Sequence, residues 1–242
     1  MSSTSPVADR ASLPSLLLAA AHPRVGMATA AGLALAATLS GRPAREVGMV
    51  LLTALVGQCV LGWANDLVDR RRDTAEGRAD KPVAQDLLAA GDLGFALTCG
   101  LLLVVPLAMS HGLWAGASYL AALAIALLGL VVLRHGWLSW LPWAASWALY
   151  PAFLAYGGWA GDGAETPPEI SVTVLAAVLG VLVHVLTSLP GLVADHEAGR
   201  RHLPLRIALR VGAPRLLWIT GVLTALTLGA LLLAGSQVGL RQ

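Results

Sequence analysis

Charged side chains are scarce in this 242-residue sequence, where Asp, Glu, Lys and Arg together make up only 12% of the residues. A soluble domain usually carries about 25%. Because 57% of the residues are hydrophobic and the mean hydropathy is +0.72, so few charges exclude a soluble enzyme, a disordered chain and a nucleic-acid-binding protein. The composition therefore predicts a protein whose partner is the lipid bilayer.

Cysteine is also scarce, and histidine has no spacing that is typical of metal ligands. Cys59 and Cys99 lie inside apolar runs, which favours two small hydrophobic side chains over a disulfide or a metal-binding pair. The six histidines are scattered, and no HExxH pattern occurs among them.

Long apolar runs make up most of the chain. A helix needs about 20 apolar residues to cross a bilayer, where an open sheet edge has no hydrogen-bonding partner. Seven segments meet this description: 24–40, 46–64, 93–110, 113–134, 137–160, 169–190 and 214–235. Residues 1–22 precede them as an N-terminal lead-in. We therefore expect one all-α integral membrane domain over residues 1–242, with about seven transmembrane helices.

The basic residues predict the orientation of these helices. With the N-terminus in the cytoplasm, 13 of the 16 Lys and Arg residues fall in cytoplasmic segments and 3 fall outside. This asymmetry agrees with the positive-inside rule. We expect a multi-pass protein of the cell membrane, in which the charge-rich loops 65–92 and 191–213 face the cytoplasm.

The first of these loops carries three regularly spaced acids, Asp66, Asp69 and Asp73. If the preceding helix continues through them, Asp69 lies about 60° and Asp73 about 20° from Asp66 around the helix axis. Three carboxylates on one face repel one another unless a cation lies between them, and oxygen ligands at this density suit Mg²⁺. The alternative is a solvated loop whose arginines at 70–72 neutralise the acids.

The second loop offers Asp195 as its best ligand candidate. On a continuous helix, Gly191, Ser188 and His184 lie within about 40° of Asp195. His184 occurs in an otherwise apolar span, where an ionisable side chain often marks a function such as accepting a proton. The alternative is a histidine that makes a hydrogen bond between two helices.

Both loops resemble the signatures of the UbiA superfamily of intramembrane prenyltransferases. The first signature is matched by Asn65-Asp66-x-x-Asp69-x-x-x-Asp73 with Arg78-x-x-Lys81-Pro82, and the second by Asp195-x-x-Ala198-Gly199-x-x-x-Leu203-Pro204. The resemblance covers roughly residues 20–235. It implies a UbiA-like helical bundle and an enzyme that transfers a polyprenyl group from a prenyl diphosphate to an aromatic or lipid-like acceptor.

The resemblance also implies a cofactor, Mg²⁺, and a role for each matching residue. The implied metal-binding and catalytic residues are Asp66, Asp69, Asp73 and Asp195, and the implied substrate-binding residues include Asn65, Arg78, Lys81 and Arg134. A Lewis acid and basic side chains neutralise the diphosphate leaving group, so that an allylic diphosphate can ionise.

Three features depart from the family pattern. Gly191 stands where the second signature usually has an acid, so one ligand of a second Mg²⁺ site is missing; alternatively, Gly191 caps a helix with positive φ. The family typically has nine spans, whereas about seven are expected here. The wall of the bundle that the last two helices would form is absent, or it comes from a second copy or from partner helices. The asparagine that the family often has in its first span has no counterpart beside Pro23 and Arg24.

Four of the 13 aromatic residues recur at helical spacing along the fifth predicted span: Trp140, Trp143, Trp147 and Tyr150. Their ring faces attract cations by about 0.5–2 kcal/mol each, which suits a wall beside a carbocation. Trp143, Trp147, Tyr150 and His184 are therefore candidate substrate-binding residues. The alternative is that the aromatic residues anchor the helix at the membrane interface or pack inside the bundle.

Two other functions fit the same residues. One is a membrane terpene cyclase of UbiA type, which quenches the cation internally and needs no acceptor. The other is a non-catalytic relative that binds a prenyl diphosphate. The glycine at position 191, where the family usually has an acid, is consistent with this alternative. A transporter fits poorly, because its polar groups should lie near the bilayer midplane and not at one edge.

Overall fold

The computed structural model describes residues 12–134, 136–158 and 167–237, and within these it contains helices and no strands. The helices are α1 (Leu13–Ala20), α2 (Pro23–Leu39), α3 (Ala44–Ala75), α4 (Ala90–Met109), α5 (Leu113–Val131), α6 (Leu141–Ala148), α7 (Tyr150–Ala155), α8 (Ile170–Ser188), α9 (Leu192–Glu197), α10 (Leu203–Val211) and α11 (Ala213–Gln237). Short 3-10 turns lie at Trp137–Trp140 and Leu189–Gly191. The predicted all-α fold is confirmed.

Five helical segments are long and apolar enough to cross a membrane: α3, α4, α5, α8 extended through α9, and α11. They coincide with five of the seven predicted spans. Helix α2 has 17 residues and coincides with the first predicted span, 24–40. Helix α1 lies within the predicted lead-in 1–22, of which residues 1–11 fall outside the described part of the chain.

The prediction of a single helix over 137–160 is wrong. The segment forms a 3-10 turn followed by α6 and α7, which are separated at Leu149, and residues 159–160 lie outside the described residues. Pro142 and Pro151 occupy the first turns of α6 and α7. Each proline lacks the N–H that would bond the carbonyl four residues earlier, so each one interrupts a longer helix.

This broken segment still runs from one end of the bundle to the other. At its start, Arg134 forms an ion pair with Asp69 near the end of α3. At its far end, the carbonyls of Leu154 and Gly157 accept hydrogen bonds from Arg42, which lies between α2 and α3. We call the end that holds Asp69 the acidic end and the end that holds Arg42 the opposite end.

The two charge-rich segments are not simple loops. Helix α3 has 32 residues, about 48 Å, and therefore extends beyond the roughly 30 Å of a bilayer core. Asn65 to Asp73 lie on its last turns, as the helical spacing of the acids requires. Residues 191–213 contain α9 and α10. Helical backbone therefore presents most of the acidic residues.

Helix α3 is central to the packing of the first half of the chain, where it contacts α2, α4 and α5. Gly62 allows the turn between α1 and α2 to lie against it, since a Cβ at Gly62 would meet the carbonyl carbon of Ala21 at 2.6 Å. This close approach places His22, which has a φ of +52°, beside the last turns of α3. The second half packs around α8, which contacts α6 and α11.

Two glycines of α3 test this close approach. Gly62→Ala should destabilise the protein by at least about 1–3 kcal/mol, because the added methyl group overlaps the backbone of Ala21. Gly48→Ala, in the same helix with no neighbour within 4 Å, should be stabilising by about 0.5–1 kcal/mol. Thermal unfolding in detergent measures both variants. Equal melting temperatures would contradict the packing of Ala21 on Gly62.

Candidate functional site

The last turns of α3 bury three carboxylates on one face. Asp66, Asp69 and Asp73 are each 3% exposed or less. Because a buried charge without a partner costs several kcal/mol, each acid requires a positive group or strong hydrogen-bond donors. The sequence-based prediction that three acids share one face of a continued helix is confirmed.

Lys81 supplies a positive charge between two of these acids. Its Nζ lies 2.5 Å from Asp66 Oδ1 and 3.4 Å from Asp73 Oδ2. Lys81 and the next three residues are buried, so the chain after α3 folds back against the helix. His22 joins this group, with its Nε2 2.8 Å from Asp66 Oδ1 and 3.2 Å from Lys81 Nζ. His22 was not predicted as a site residue, because its neighbour Pro23 indicates only the start of a helix.

Two arginines pair with the remaining carboxylate. Arg134, which follows α5, donates to both oxygens of Asp69. Arg72 Nη2 lies 2.9 Å from Asp69 Oδ2 and 3.1 Å from Asp73 Oδ1, so it bridges two acids. Arg70 and Arg71 are exposed. The hypothesis that residues 70–72 neutralise the acids therefore holds for Arg72 alone, and Lys81 and Arg134 provide the other charges.

Two carboxylate oxygens remain as acceptors for a further cation. Asp66 Oδ2 and Asp73 Oδ2 are buried and accept no hydrogen bond from any described residue, although Lys81 Nζ lies 3.4 Å from Asp73 Oδ2. In the described part of the chain, no three His, Cys, Asp or Glu side chains converge in the arrangement of a formed metal site. The donor chemistry and the two unsatisfied oxygens nevertheless fit a hard divalent cation, because such cations prefer carboxylate oxygens.

Two other predicted residues lie at the edge of this cluster. Arg78 pairs with Asp80 through a fork, with Nε 2.9 Å from Oδ1 and Nη2 2.8 Å from Oδ2. This hydrogen bonding lowers the pKa of Asp80 to about 2 and raises the pKa of Arg78. Asn65 is half-buried and lies one helical turn before Asp69. The guanidinium of Arg78 is thus directed at Asp80, while its backbone N–H donates to the carbonyl of Asp73 at 3.0 Å.

Asp195, on α9, is paired through both oxygens. Oδ1 accepts a hydrogen bond from Arg200, and Oδ2 lies 2.8 Å from His202 Nε2. His202 Nδ1 accepts the N–H of Leu205 at the start of α10, so Nε2 carries the proton that the histidine donates to Asp195. This pairing was not predicted, because Arg200 and His202 belong to no recognisable pattern of spacing.

Arg200 also connects the two acidic segments. Its Nη2 lies 2.7 Å from Glu76 Oε1, next to the end of α3. Arg72 Nε lies 3.8 Å from the same oxygen of Glu76. A chain of ion pairs therefore runs from Asp195 to the acids of α3, and the two segments that sequence analysis singled out are in contact.

Gly191 has ordinary helical backbone geometry, with a φ of −94°. The alternative in which it caps a helix with positive φ is therefore wrong. A Cβ added at Gly191 would lie 3.6 Å from Asp195 Oδ2, an ordinary van der Waals distance. The expectation that a side chain at position 191 faces Asp195 is confirmed, although the 3-10 turn at Leu189–Gly191 interrupts the continuous helix that we assumed.

His184 makes a contact between segments near the acidic end. Its Nε2 lies 3.1 Å from Ser139 Oγ, which also accepts the N–H of Leu203. The imidazole ring stacks on Trp143, with ring centroids 5.4 Å apart. These are the contacts that the helix–helix hydrogen-bond alternative predicts. They place His184 and Trp143 together.

The other aromatic candidates lie along the broken segment. Trp147 packs edge-on against Tyr150, with centroids 5.6 Å apart, and Tyr150 stacks on Tyr119 of α5 at 6.3 Å. Gly180 of α8 packs closely against Trp147, because a Cβ there would meet its Cβ at 2.7 Å. The side chains of Trp143, Trp147 and Tyr150 are each half-buried. They contribute to bundle packing and keep part of each ring accessible.

Two solved structures are similar to this chain over 89% of its length. They are a UbiA homolog from Archaeoglobus fulgidus bound to GPP and Mg²⁺, with a TM-score of 0.67 and 17% identity, and a UbiA homolog from the same organism bound to DMAPP and Mg²⁺, with a TM-score of 0.66 and 18% identity. The chain covers 76% of each of those chains. No protein-family model and no curated protein sequence matches the chain. The chain therefore has the UbiA fold.

The pairing of Lys81 with Asp66 can be tested by a double-mutant cycle. Lys81→Met should lower the free energy of unfolding by about 3–5 kcal/mol, because it leaves buried carboxylates without their cation. The added change Asp66→Asn should recover a large part of this loss. Arg71→Met, an exposed change on the same helix, should stay within about 0.5 kcal/mol. Unfolding in detergent with EDTA measures these three variants and Asp66→Asn alone, and additive effects of the Lys81 and Asp66 changes would contradict the pairing.

Proposed function

We propose that this chain, which has the UbiA fold, is a Mg²⁺-dependent intramembrane prenyltransferase. It transfers a polyprenyl group from a prenyl diphosphate to an aromatic or lipid-like acceptor. The observation that carries this proposal is the buried cluster of Asp66, Asp69 and Asp73, which holds two unsatisfied carboxylate oxygens beside several fixed cations. The UbiA homologs of the same fold were solved with GPP or DMAPP and with Mg²⁺, which supports both the substrate class and the metal.

The three acids of α3 would hold the divalent cation. Asp66 and Asp73 each have a buried oxygen without a hydrogen-bond partner, and Asp69 lies between them in the sequence on the same helix face. When bound, Mg²⁺ supplies Lewis-acid character that helps the diphosphate to leave. The chain's own contribution is to keep the three carboxylates close together and shielded from water.

Charge balance predicts that metal and diphosphate bind together. The three carboxylates are matched by Lys81, Arg72 and Arg134, so the cluster is close to neutral by itself. A divalent cation alone or a diphosphate alone adds unbalanced charge, whereas both together nearly cancel. Lys81 and Arg134 would then donate to phosphate oxygens, since charge-assisted hydrogen bonds of this kind are strong. Asn65 and Arg78 are further candidates at the edge of the same cluster.

The prenyl chain requires an apolar, dry path beside the acidic end. We place it along α6 and α7, where Trp143, Trp147 and Tyr150 are half-buried and where His184 stacks on Trp143. Aromatic faces stabilise a nearby cation by about 0.5–2 kcal/mol each, more where water is excluded. These side chains would therefore both position the chain and lower the energy of positive charge that develops on it.

The position of the charges also supports an orientation in the cell membrane. The acids of α3, Asp195 and the ion pairs between them all lie at one end of the bundle. We propose that this end and the N-terminus face the cytoplasm, in agreement with the distribution of Lys and Arg. We also propose that a second copy or partner helices pack against the bundle.

Removal of a single acid should abolish the proposed reaction. Asp69→Asn and Asp73→Asn should each lower diphosphate release from labelled GPP by at least about 100-fold, and EDTA should have a similar effect that Mg²⁺ reverses. Asp86→Asn is the matched control, because Asp86 is exposed with a φ of +55° that asparagine tolerates. Full turnover by Asp69→Asn would contradict the metal site.

The same assay distinguishes the alternative functions. Cyclic products formed without an acceptor would favour the cyclase, and binding of GPP without release of diphosphate would favour the non-catalytic relative.

The orientation can be tested by thiol labelling in intact cells. In a Cys59→Ala, Cys99→Ala background, Arg71→Cys and Arg201→Cys should resist an impermeant thiol reagent, because both exposed positions lie at the acidic end. Ser110→Cys, in the exposed turn between α4 and α5 at the opposite end, should react. If the cysteines at positions 71 and 201 react and the cysteine at position 110 does not, the orientation is the opposite of the one proposed.

A further inference from the structure

The surroundings of Asp195 differ from those of Asp66 and Asp73 on α3. Asp66 and Asp73 each keep a buried oxygen without a hydrogen-bond partner, whereas both oxygens of Asp195 accept from Arg200 and His202. Position 191, one turn earlier, has no side chain that could add a second carboxylate. A second divalent cation therefore does not fit here.

Arg200 is held at this place by its own backbone as well as by its side chain. The N–H of Arg200 donates to the carbonyl of Asp195 at 2.9 Å, in a turn that Gly199 permits with a φ of +69°. The guanidinium then reaches Asp195 with one amino group and Glu76 with the other. Burial alone would lower the pKa of Arg200, but the hydrogen bonds to the two carboxylates outweigh it and raise the pKa.

Arg200 also lies next to the acids of α3. Its partner Glu76 shares the oxygen Oε1 with Arg72, and Arg72 contacts both Asp69 and Asp73. The positive charge of Arg200 is therefore separated from the acids of α3 by one carboxylate and one guanidinium. This is a fixed positive charge on the side of the site that holds Gly191 and Asp195.

We propose that Arg200 binds the diphosphate in place of a second divalent cation, so that each chain holds one metal ion for each diphosphate. This inference rests on the proposed function, and it assigns Asp195 and Glu76 to positioning Arg200. A guanidinium is always charged and has five N–H donors, of which two are directed at Asp195 and Glu76. Its planar fork matches a phosphate group better than an ammonium does.

Metal stoichiometry provides the test, with Mn²⁺ and inorganic pyrophosphate as probes. The detergent-solubilised full chain is dialysed against both, and bound manganese and ³²P-labelled pyrophosphate are counted. The wild type should bind one manganese ion per pyrophosphate. Arg200→Gln should still bind one ion but hold pyrophosphate at least about 10-fold more weakly, because a charge-assisted contact is lost. Arg200→Lys should lie between the two, since it keeps the charge and loses the fork.

Two further variants separate binding from structure. Arg201→Gln removes a neighbouring exposed arginine and should change pyrophosphate affinity less than about 2-fold. Gly191→Asp combined with Arg200→Gln should bind a second manganese ion and regain affinity, because the new carboxylate would face Asp195. If the double variant still binds one manganese ion and holds pyrophosphate weakly, the proposal that Arg200 replaces a metal ion is contradicted. Melting temperatures show whether a loss of affinity reflects unfolding. If Arg200→Gln is unfolded, the pyrophosphate affinity of Arg200→Lys and the number of manganese ions bound by the wild type decide whether Arg200 replaces a metal ion.

The outcomes distinguish this inference from the proposed function. Two manganese ions per pyrophosphate in the wild type, or unchanged affinity in a folded Arg200→Gln protein, would overturn the role of Arg200 and leave the prenyltransferase proposal standing. A wild type that binds neither manganese nor pyrophosphate would overturn both. One ion in the wild type together with weak binding by Arg200→Gln supports the assignment.

Discussion

The burial of three carboxylates at the end of α3 is the constraint on which the candidate site depends. Charges removed from water must be paired, and each acid here takes its partner from a different part of the chain. Lys81 comes from the segment that follows α3, Arg134 follows α5, and Arg72 lies on α3 itself. Pairing these groups requires the chain after α3 to fold back and the end of α5 to approach. The electrostatic requirement therefore positions two connecting segments.

The same principle joins the two halves of the bundle. Arg200 bridges Glu76 beside α3 and Asp195 on α9 at the acidic end, and Arg42 donates to the carbonyls of Leu154 and Gly157 at the opposite end. Further into the bundle the contacts are close and apolar. Trp147 packs closely against Gly180, and Ala21 packs closely against Gly62. Small residues of this kind let helices approach closely where lipid offers no hydrophobic driving force between them. Packing aligns the helices, and ion pairs fix their charged ends.

A site prepared in this way has catalytic value if the proposed function holds. Positive groups that are already oriented need not reorganise when charge develops on a leaving diphosphate, and such preorganisation is often the largest electrostatic contribution to catalysis. The ion pairs that hold Lys81, Arg134 and Arg200 would keep them in place before the substrate arrives. Their replacement by neutral side chains would therefore affect both stability and the binding of an anion.

Local spacing in the sequence determined the helical class, the long apolar segments and the shared face of Asp66, Asp69 and Asp73, because a helix repeats every 3.6 residues. The same reasoning failed over 137–160, where a continuous apolar run outweighed the signals of Pro142 and Pro151. Only the tertiary structure decided which cation meets which acid. Arg134 lies 65 residues from Asp69 and Arg200 lies 124 residues from Glu76, and contacts at such separations depend on how the helices pack. No local pattern records them.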